Sequence, residues 1–507
     1  MTESFISLPD MIGANARVRP DTIALIEGEQ SLSYAGLDAA MDRVAAALQR
    51  EGLAARDSVA ICAATSIEYA SVFLGALRAG VAVAPIAPSS TADSVVSMVE
   101  DCGAKVFFLD RGVAEAMGDK LKSISAKLVG LDQGAPGAPY QRFIAPEGAK
   151  PAPVAITPDM AFNIIYSSGT TGTPKGIVQS HGMRFGHVGR AAPLGYGPDA
   201  VTLLSTPLYS NTTLVSFFPT LGLGGTAVLM KKFDAGEYLK LAQKHRATHT
   251  MLVPVQYSRL MAREDFDTYD LSSFVMKFCT SAPFAAALKA DVLKRWPGGL
   301  IEYFGMTEGG GTCMLIAHAY PDKLHTVGQP APGHDIRVID EDGKELPRGE
   351  IGEIVGRSEL MMSGYHNRKE QTDAAIWISP EGLPFIRTGD VGRFDADGFM
   401  ELMDRKKDMI ISGGFNIYPS DLEAVLRQHP DVADVAVVGV PSAEWGETPV
   451  AFVVSRGADA ETLRAFANER VGKTQRLSAV ELIDELPRSH IGKILKRELR
   501  DAYAAKR

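Results

Sequence analysis

Cysteine is scarce in this chain of 507 residues. Four cysteines occur, at Cys62, Cys102, Cys279 and Cys313, and none of them forms a CxxC pair. This spacing suggests neither a zinc site nor a disulfide framework. Scattered cysteines are consistent with a reducing cytoplasm, which is where we expect the protein.

The chain also lacks an excess of basic residues and a long apolar run. It carries 52 Lys and Arg against 61 Asp and Glu, a net charge of −9, which disfavours a nucleic-acid partner. Its most apolar stretch, residues 71–88, is interrupted by Arg78 and Gly80, so integral membrane association is not expected. Residues 1–10 lack the basic and apolar segments of a secretory signal.

Two enzyme signatures are missing as well. No Gly-x-Ser-x-Gly elbow occurs, which disfavours a serine hydrolase. No glycine fingerprint opens the first helix of the chain, and the glycine-rich residues 222–227 precede a strand where a dinucleotide fingerprint would follow one. An NAD-linked oxidoreductase is therefore disfavoured too.

What the sequence does have is an alternation of two hydrophobic periods. Leu37, Met41, Val44 and Leu48 recur at helical spacing, and residues 58–62 and 81–84 are apolar runs typical of buried strands. Alternating strands and helices predict an α/β fold, with layered and mostly parallel sheets flanked by helices. The length suits roughly three domain-sized units.

The pattern changes twice toward the C-terminus. Residues 327–402 contain short strands separated by turns, which predicts a small β subdomain. Residues 404–507 combine a strand at 435–438 with helical segments, and Ser420 to Glu423 fit a capping box that opens a helix. We expect a large N-terminal domain at 1–403, which includes the β subdomain, and a small α+β C-terminal domain at 404–507.

Residues 166–176, Tyr-Ser-Ser-Gly-Thr-Thr-Gly-Thr-Pro-Lys-Gly, are the most distinctive run in the chain, and the short apolar run at 162–166 predicts a strand directly before them. Glycines let the backbone approach a ligand closely, and successive N–H groups form a concavity that suits anions. The run is not a Walker loop, because Gly172 and Lys175 are not adjacent. A polar turn after a strand is the plain alternative, but the ordered set of residues favours a phosphate cradle.

This run resembles the signature of the adenylate-forming superfamily, which includes acyl-CoA synthetases, firefly-type luciferases and the adenylation domains of peptide synthetases. The resemblance implies that the loop holds the β- and γ-phosphates of ATP. The implied nucleotide-binding residues of the loop are Ser167, Ser168, Gly169, Thr170, Thr171, Gly172 and Lys175.

A second motif, residues 302–308, strengthens the resemblance. It implies that the aromatic ring of Phe304, which stands where the family usually has Tyr, stacks on adenine next to Gly305. It further implies that Thr307 binds the α-phosphate and that Glu308 holds Mg²⁺. A carboxylate suits a metal that bridges phosphates. By the same resemblance, Ser281 and Ala282 contribute to the nucleotide site.

The remaining motifs lie nearer the C-terminus, in family order. Asp390 of Thr-Gly-Asp would accept hydrogen bonds from the ribose hydroxyls, and Arg405 would reach the ribose or the α-phosphate. Lys407 occupies the hinge position about which the mobile C-terminal domain of the family swings. Lys493 would stabilise the charge that builds up during adenylation. Taken singly, each could be a turn or a solvated charge, but their agreement across the chain favours the family.

The resemblance implies a two-step reaction. A carboxylate displaces pyrophosphate from ATP to give an acyl-adenylate, and after domain rotation a thiol displaces AMP. Thr307, Glu308 and Lys493 are the implied catalytic residues. Because Gly413, Gly414 and Trp445 resemble the pantetheine tunnel of benzoate and coumarate ligases, we expect coenzyme A as the thiol.

The identity of the acid is less clear from sequence. Thr280 should narrow the acyl pocket where the family often has Gly, and Ser210 replaces a usual His. An uncharged lining argues against a dicarboxylate, so we expect an aryl or medium-chain fatty monocarboxylate. A freestanding ligase that loads a carrier protein stays open, as do the weaker option of a luciferase-like oxygenation and assembly as a homodimer. The candidate pocket residues are Tyr209, Asn211, Thr212, Tyr257, Thr280 and Met306.

Overall fold

A computed structural model describes residues 4–167, 175–406, 408–412, 415–442, 445–472, 475–489 and 492–506. The chain forms two compact units. The larger comprises Met1–Leu324, Ala331–Asp335 and Arg357–Ile386, and the smaller comprises His325–Pro330, Ile336–Gly356 and Arg387–Arg507. This division differs from the predicted boundary at residue 403, because residues 387–402 group with the C-terminal part of the chain.

The strands, in chain order, have the following bounds: β1 Ile23–Glu27, β2 Gln30–Ser33, β3 Ser58–Cys62, β4 Ala82–Ile86, β5 Ala104–Leu109, β6 Lys127–Gly130, β7 Ala138–Pro139, β8 Ala161–Ser167, β9 Lys175–Ser180, β10 Val201–Leu204, β11 Thr226–Leu229, β12 His249–Leu252, β13 Met276–Cys279, β14 Gly299–Gly305, β15 Thr312–Ile316, β16 Gln329–Pro330, β17 His334–Ile339, β18 Gly352–Ser358, β19 Gly364–Tyr365, β20 Ile376–Ile378, β21 Pro384–Phe394, β22 Met400–Arg405, β23 Ile410–Ser412, β24 Phe415–Ile417, β25 Val432–Ser442, β26 Gly446–Ser455 and β27 Ala479–Leu482.

The α-helices have these bounds: α1 Leu8–Val18, α2 Tyr34–Arg50, α3 Ile67–Arg78, α4 Ala92–Asp101, α5 Arg111–Met117, α6 Tyr140–Phe143, α7 His181–Gly189, α8 Asn211–Gly222, α9 Ala235–Lys244, α10 Pro254–Met261, α11 Ala286–Arg295, α12 Lys369–Ala374, α13 Pro419–Leu426, α14 Ala460–Asn468 and α15 Lys496–Ala505. No helix in the described part of the chain is long and apolar enough to cross a membrane.

The larger unit contains two sheets. In one, the strand order is β19-β9-β8-β4-β3-β5-β6-β7; in the other, β15, β14, β13, β12, β10, β11, β1 and β2 follow one another. The neighbours β10, β12, β13 and β14 are parallel. Parallel strands buried on both faces are mostly apolar, as β3 is after its first residue in Ser-Val-Ala-Ile-Cys.

Helix α2 shows how the predicted periodicity works. Its four predicted apolar positions, Leu37, Met41, Val44 and Leu48, are all fully buried, on the face that packs against the core. The Ser33 side chain caps the helix by accepting from the Gly36 N–H at 3.2 Å. The helix therefore follows from its apolar stripe and its N-cap.

In the smaller unit, β17, β18 and β21 are adjacent and β22 pairs with β21, in the region predicted as a β subdomain. The C-terminal strands follow the order β24-β23-β26-β25, and β27 pairs with β26. Strand β25 alternates between two cores: Val435 and Val437 belong to the core that includes Leu422, and Ala436 and Val438 belong to the core that includes Leu499. This period of two is that of a strand covered on both faces.

The predicted capping box at Ser420 is wrong. Helix α13 begins at Pro419, which suits the first helical position because it has no N–H to leave unpaired. The Ser420 N–H donates to the Asp404 carboxylate at 3.0 Å. The Glu423 carboxylate accepts from the backbone N–H of Val437 at 2.9 Å instead of closing a box. Tertiary partners therefore replaced the local cap.

Candidate active site

The carboxyl ends of parallel strands gather several of the predicted residues of the larger unit. Thr280 and Ser281 follow β13 directly, and the Thr280 hydroxyl donates to the Tyr303 carbonyl of β14 at 2.9 Å. The Thr212 and Ser281 hydroxyl oxygens are 2.7 Å apart. Ser281 has a φ of 84°, which is unusual for a residue other than glycine. In open α/β sheets this edge is where ligands bind.

The phosphate-loop prediction lies largely outside the described residues. Ser168, Gly169, Thr170, Thr171 and Gly172 are not described, nor is the side chain of Ser167. The strand predicted to precede the loop is present as β8, and Lys175 begins β9. The two strands are antiparallel neighbours, so the loop joins the two arms of a hairpin.

Lys175 and Glu308 are linked through Tyr365, which the sequence analysis missed. The Lys175 Nζ atom is 5.2 Å from the centroid of the Tyr365 ring, a cation–π distance. The Tyr365 hydroxyl donates to the Glu308 Oε1 atom at 2.9 Å. Burial raises the pKa of Tyr365, and the neighbouring Glu308 carboxylate raises it further, so the hydroxyl keeps its proton. No sequence pattern signalled Tyr365, since it lies 57 positions from Glu308.

Glu308 fits the predicted magnesium role. Among the described residues, no cluster of three His, Cys, Asp or Glu side chains could hold a metal ion. Mg²⁺ needs no such cluster, because it is usually bound by one or two carboxylates together with substrate phosphates and water. One Glu308 oxygen is oriented by Tyr365, and the carboxylate has further lone pairs for a metal.

The segment around Thr307 is anchored from β9. The Gln179 Nε2 atom donates to the Thr307 carbonyl at 2.7 Å. Phe304, Met306 and Thr307 are half-buried and Gly305 is exposed, so the end of β14 is accessible. Met306, predicted for the acyl pocket, packs against the cluster of Ile177, Met362 and Ile386.

Gln179 belongs to a buried polar network that sequence reasoning also missed. The Arg184 guanidinium, 1% exposed, donates to the Asn163 Oδ1 atom from Nε at 3.1 Å and from Nη2 at 3.0 Å. Nη2 also contacts the Gln179 Oε1 atom and the Asn211 Oδ1 atom, the latter at 2.9 Å. The Asn163 amino group donates to Gln179 at 2.9 Å. The network thus joins β8, β9, α7 and α8.

Tyr257 differs from the other predicted pocket residues. Its side chain is fully buried, it stacks on Phe284 at 5.0 Å between ring centroids, and its hydroxyl donates to the Phe278 carbonyl at 2.9 Å. It therefore packs in the core and presents no accessible surface to a ligand. Tyr209 and Asn211 are half-buried, and so are Ser281 and Ala282. Thr212 is buried and contacts Ser281.

In the smaller unit, Asp390 and Arg405 are register partners in the antiparallel pair of β21 and β22. The Asp390 N–H donates to the Thr388 hydroxyl at 3.0 Å, and that hydroxyl donates to the Ile354 carbonyl at 2.8 Å. The Thr-Gly-Asp segment is thereby fixed on its strand. The Arg405 side chain is not described, and Lys407, Gly413 and Gly414 lie outside the described residues.

Lys493 lies in a tight turn. Its N–H donates to the Ser489 hydroxyl at 3.2 Å, and its carbonyl accepts from the Ser489 N–H at 2.8 Å. Gly492 has a φ of 78°, which the turn requires. Arg488 braces the turn by donating to the Gly492 carbonyl at 2.7 Å and to Asp434 at 2.5 Å. Trp445, predicted for the coenzyme A tunnel, is 49% exposed.

Two family models match the chain. Residues 12–366 match AMP-binding enzyme, and residues 421–493 match AMP-binding enzyme C-terminal domain. The chain belongs to the AMP-binding enzyme family. The matched region of the first family contains the predicted phosphate loop and Glu308, and that of the second ends at Lys493.

Named relatives of this AMP-binding enzyme include the indoleacetate–CoA ligase of Aromatoleum aromaticum, 33% identical over 99% of each chain. The 4-coumarate–CoA ligase-like 9 of Oryza sativa subsp. japonica is 32% identical over 98% of this chain and 93% of its own length. The fatty acid–[acyl-carrier-protein] ligase ScoC of Streptomyces coeruleorubidus is 29% identical over 96% of this chain and 95% of its own length.

Among solved structures, ATP-bound MatB from Rhodopseudomonas palustris matches with a TM-score of 0.88 and 29% identity, covering 98% of this chain and 99% of that chain. Together, the family matches, the relatives and this structure confirm the predicted superfamily and α/β fold class. They also confirm an AMP-forming acyl-CoA ligase with ATP and coenzyme A as co-substrates. Magnesium and the role of each site residue remain predictions.

Proposed function

We propose that this enzyme activates an aryl or medium-chain fatty monocarboxylate with ATP and transfers the acyl group to coenzyme A. The observation that carries the proposal is the chain of contacts from Lys175 through Tyr365 to Glu308. It brings together the ammonium that is predicted to bind phosphate and the carboxylate that is predicted to bind Mg²⁺. The similarity to an indoleacetate–CoA ligase, and to a protein named 4-coumarate–CoA ligase-like 9, supports an aryl acid.

In the first step a carboxylate oxygen bonds to the α-phosphorus of ATP, and the bond from that phosphorus to pyrophosphate breaks. The Thr307 hydroxyl would follow the α-phosphate, Phe304 would stack on adenine, and Asp390 would bind the ribose. Lys493 would stabilise the negative charge that converges on the reacting phosphorus. Glu308 would hold Mg²⁺, which neutralises phosphate charge when bound.

In the second step a thiolate attacks the acyl carbon, and AMP leaves. We propose that the C-terminal domain, residues 404–507, turns about Lys407 between the steps and withdraws Lys493. The coenzyme A arm would then pass Gly413, Gly414 and Trp445. Assembling two sites from one scaffold by domain rotation needs a hinge of only a few residues.

Pyrophosphate release from Mg-ATP tests the proposal across aryl, short, medium and long acids, each with and without coenzyme A. Continuous release that needs both one class of acid and coenzyme A is the expected result. A single burst that is the same with and without coenzyme A would instead favour transfer to a carrier protein. That second function is favoured by the similarity to ScoC, whose name specifies an acyl-carrier-protein ligase.

Lys493→Ala separates the two steps. We expect adenylation to fall a hundredfold or more, because a preorganised charge opposite the transition state is lost. Thioester formation from preformed acyl-adenylate should remain close to wild type. Arg497→Ala, which removes an exposed cation four positions further on, serves as the control and should leave both steps unchanged. An equal loss in both steps would show that Lys493 has another role.

A further inference from the structure

The orientation of the Asn211 amide is determined by its neighbour Arg184. A guanidinium has only donors, so the Asn211 atom at 2.9 Å from Nη2 must be the carbonyl oxygen Oδ1. The amino group Nδ2 then points away from Arg184 and carries two N–H donors. Asn211 is half-buried, and among the described residues no acceptor bonds Nδ2.

Arg184 itself is held rigidly. It is almost fully buried, and Nε and Nη2 both donate to the Asn163 Oδ1 atom. Its guanidinium carbon lies 5.8 Å from the centroid of the Phe162 ring and 5.3 Å from that of Phe218. A flip of Asn211 would place its N–H groups against those of Arg184, so the amide stays in one orientation.

Asn211 lies where the acid is expected to bind. It is the first residue of α8, and the next residue, Thr212, contacts Ser281 at the carboxyl end of β13 through hydroxyl groups 2.7 Å apart. Arg184 has no carboxylate partner among the described residues; Nε and Nη2 contact amide oxygens, the guanidinium faces aromatic rings, and Nη1 is buried without a hydrogen-bond partner among those residues. The open donor of Asn211 is therefore the part of this network that a ligand can reach.

We propose that Asn211 is a specificity-determining residue, whose amino group donates a hydrogen bond to an oxygen on the acyl tail of the substrate. The oxygen belongs to a carbonyl, ether or hydroxyl group remote from the reacting carboxylate. Arg184 is the positioning residue that keeps the amino group turned toward the substrate. This inference rests on the proposed acid:CoA ligase function and narrows its substrate to oxygenated monocarboxylates.

The test compares matched acids. Cinnamate and its 2-, 3- and 4-hydroxy and methoxy derivatives form one series, and octanoate with its hydroxy and oxo derivatives forms a second. Pyrophosphate release in the presence of coenzyme A gives kcat/KM for each. We expect kcat/KM of the best oxygenated acid to exceed that of its parent by about tenfold or more in the wild-type enzyme, because a donor that the bound substrate covers without offering an acceptor is costly.

Two substitutions of Asn211 give different signatures. In Asn211→Leu the preference for the oxygenated acid, taken as the ratio of its kcat/KM to that of the parent acid, should fall to about one, mainly through a higher KM for the oxygenated acid. In Asn211→Asp the side chain offers only acceptors, so a methoxy or oxo acid should be disfavoured while a hydroxy acid, which can donate, is retained. A merely structural role of Asn211 would not change the preference between methoxy and hydroxy acids in this way.

Arg184→Met tests the positioning role, with thermal unfolding measured alongside because Arg184 is buried. We expect a reduced ratio of kcat/KM for the oxygenated acid to kcat/KM for its parent acid. Should this variant fail to fold, the two Asn211 variants still decide the matter. An unchanged preference in Asn211→Leu overturns the inference, and so does an equal loss for every acid, which would assign Asn211 to the shared carboxylate.

Failure of the inference can be told apart from failure of the proposed function. Turnover of the parent acids with no preference for any oxygenated derivative overturns the inference alone. An enzyme that releases pyrophosphate with none of the acids overturns the proposed function, and the inference with it.

Discussion

Two of the cations buried in the larger unit, Lys289 and Arg184, lie among different kinds of partner. Next to β14, Lys289 forms an ion pair with Glu302, and both side chains are almost fully buried. On α7, Arg184 contacts the amide oxygens of Asn163, Gln179 and Asn211, and among the described residues it has no carboxylate partner. In the Lys289 region a carboxylate neutralises the buried ammonium. In the Arg184 region the guanidinium is surrounded by neutral groups.

The difference shows what each arrangement can do. An ion pair is held together by opposite charges, whichever carboxylate oxygen faces the ammonium. An amide has one oxygen and one amino group, so a cation beside it determines which of them faces the other way. The Arg184 region can therefore orient donors toward a ligand or a backbone, and the Lys289 region mainly holds α11 against β14.

The largest expected effect comes from breaking the ion pair. Glu302→Gln leaves the Lys289 ammonium buried without its counter-charge, and we expect a loss of about 3–5 kcal/mol in the free energy of unfolding. Urea unfolding measures the loss. The double variant Glu302→Leu with Lys289→Met removes both charges and should recover most of it. If the single variant were as stable as wild type, the ammonium would have to be neutral or otherwise satisfied.

A second prediction concerns the pH dependence of stability and His181, which lies on the same helix as Arg184. His181, at the start of α7, is buried, and neither ring nitrogen has a hydrogen-bond partner among the described residues. Burial lowers the pKa of His181 to about 4. Because the unfolded chain has a His pKa of about 6.5, it binds more protons below that pH, and stability should fall by about 3 kcal/mol from pH 6.5 to 4.

His181→Phe should flatten the acid side of the stability profile. His325→Gln, at a histidine whose side chain is 57% exposed, is the control and should not. An unchanged slope in His181→Phe would mean that the imidazole titrates normally.

The sequence predicted what depends on local pattern. The apolar stripe of α2 and the strand before the phosphate loop are visible as periodicity, and their residues are buried as expected. The predicted start of α13 is wrong because the Glu423 carboxylate accepts from the Val437 N–H rather than from a local N–H at the helix start. Local signals fail where a tertiary contact offers the same group a better partner.

The site was only partly predictable for the same reason. Thr212, Thr280 and Ser281 came from motifs, and strand topology brings them together. Arg184 and Tyr365 act through partners distant in sequence, such as Asn211, 27 positions from Arg184, and no spacing rule reveals those pairs. Tyr257 was predicted to line the pocket because its side chain is uncharged. Its hydroxyl instead donates to the Phe278 carbonyl, and the side chain packs in the core.

The smallest expected effect on stability comes from making the Arg184 region resemble the Lys289 region. Gln179→Glu places a carboxylate beside the guanidinium but removes the Nε2 donor that binds the Thr307 carbonyl at 2.7 Å. The charge-assisted hydrogen bond gained with Arg184 contributes about 1.5–3 kcal/mol, and the neutral hydrogen bond lost to Thr307 contributes about 0.5–1.5 kcal/mol. The cost of burying the new carboxylate offsets the remaining gain. We expect a net change in the free energy of unfolding within about 1 kcal/mol.

Activity should respond more than stability in this variant, because Thr307 loses its anchor while the new carboxylate offsets the buried charge of Arg184. The measurement pairs urea unfolding with the rate of pyrophosphate release. Gln179→Met is the matched control, since it removes the acceptor for Arg184 as well as the donor and should cost about 1–3 kcal/mol. A Gln179→Glu enzyme that lost several kcal/mol would show that the network requires neutral oxygens to fold. A Gln179→Glu enzyme that stayed stable but released pyrophosphate slowly would show that the neutral amide of Gln179 is needed to position Thr307.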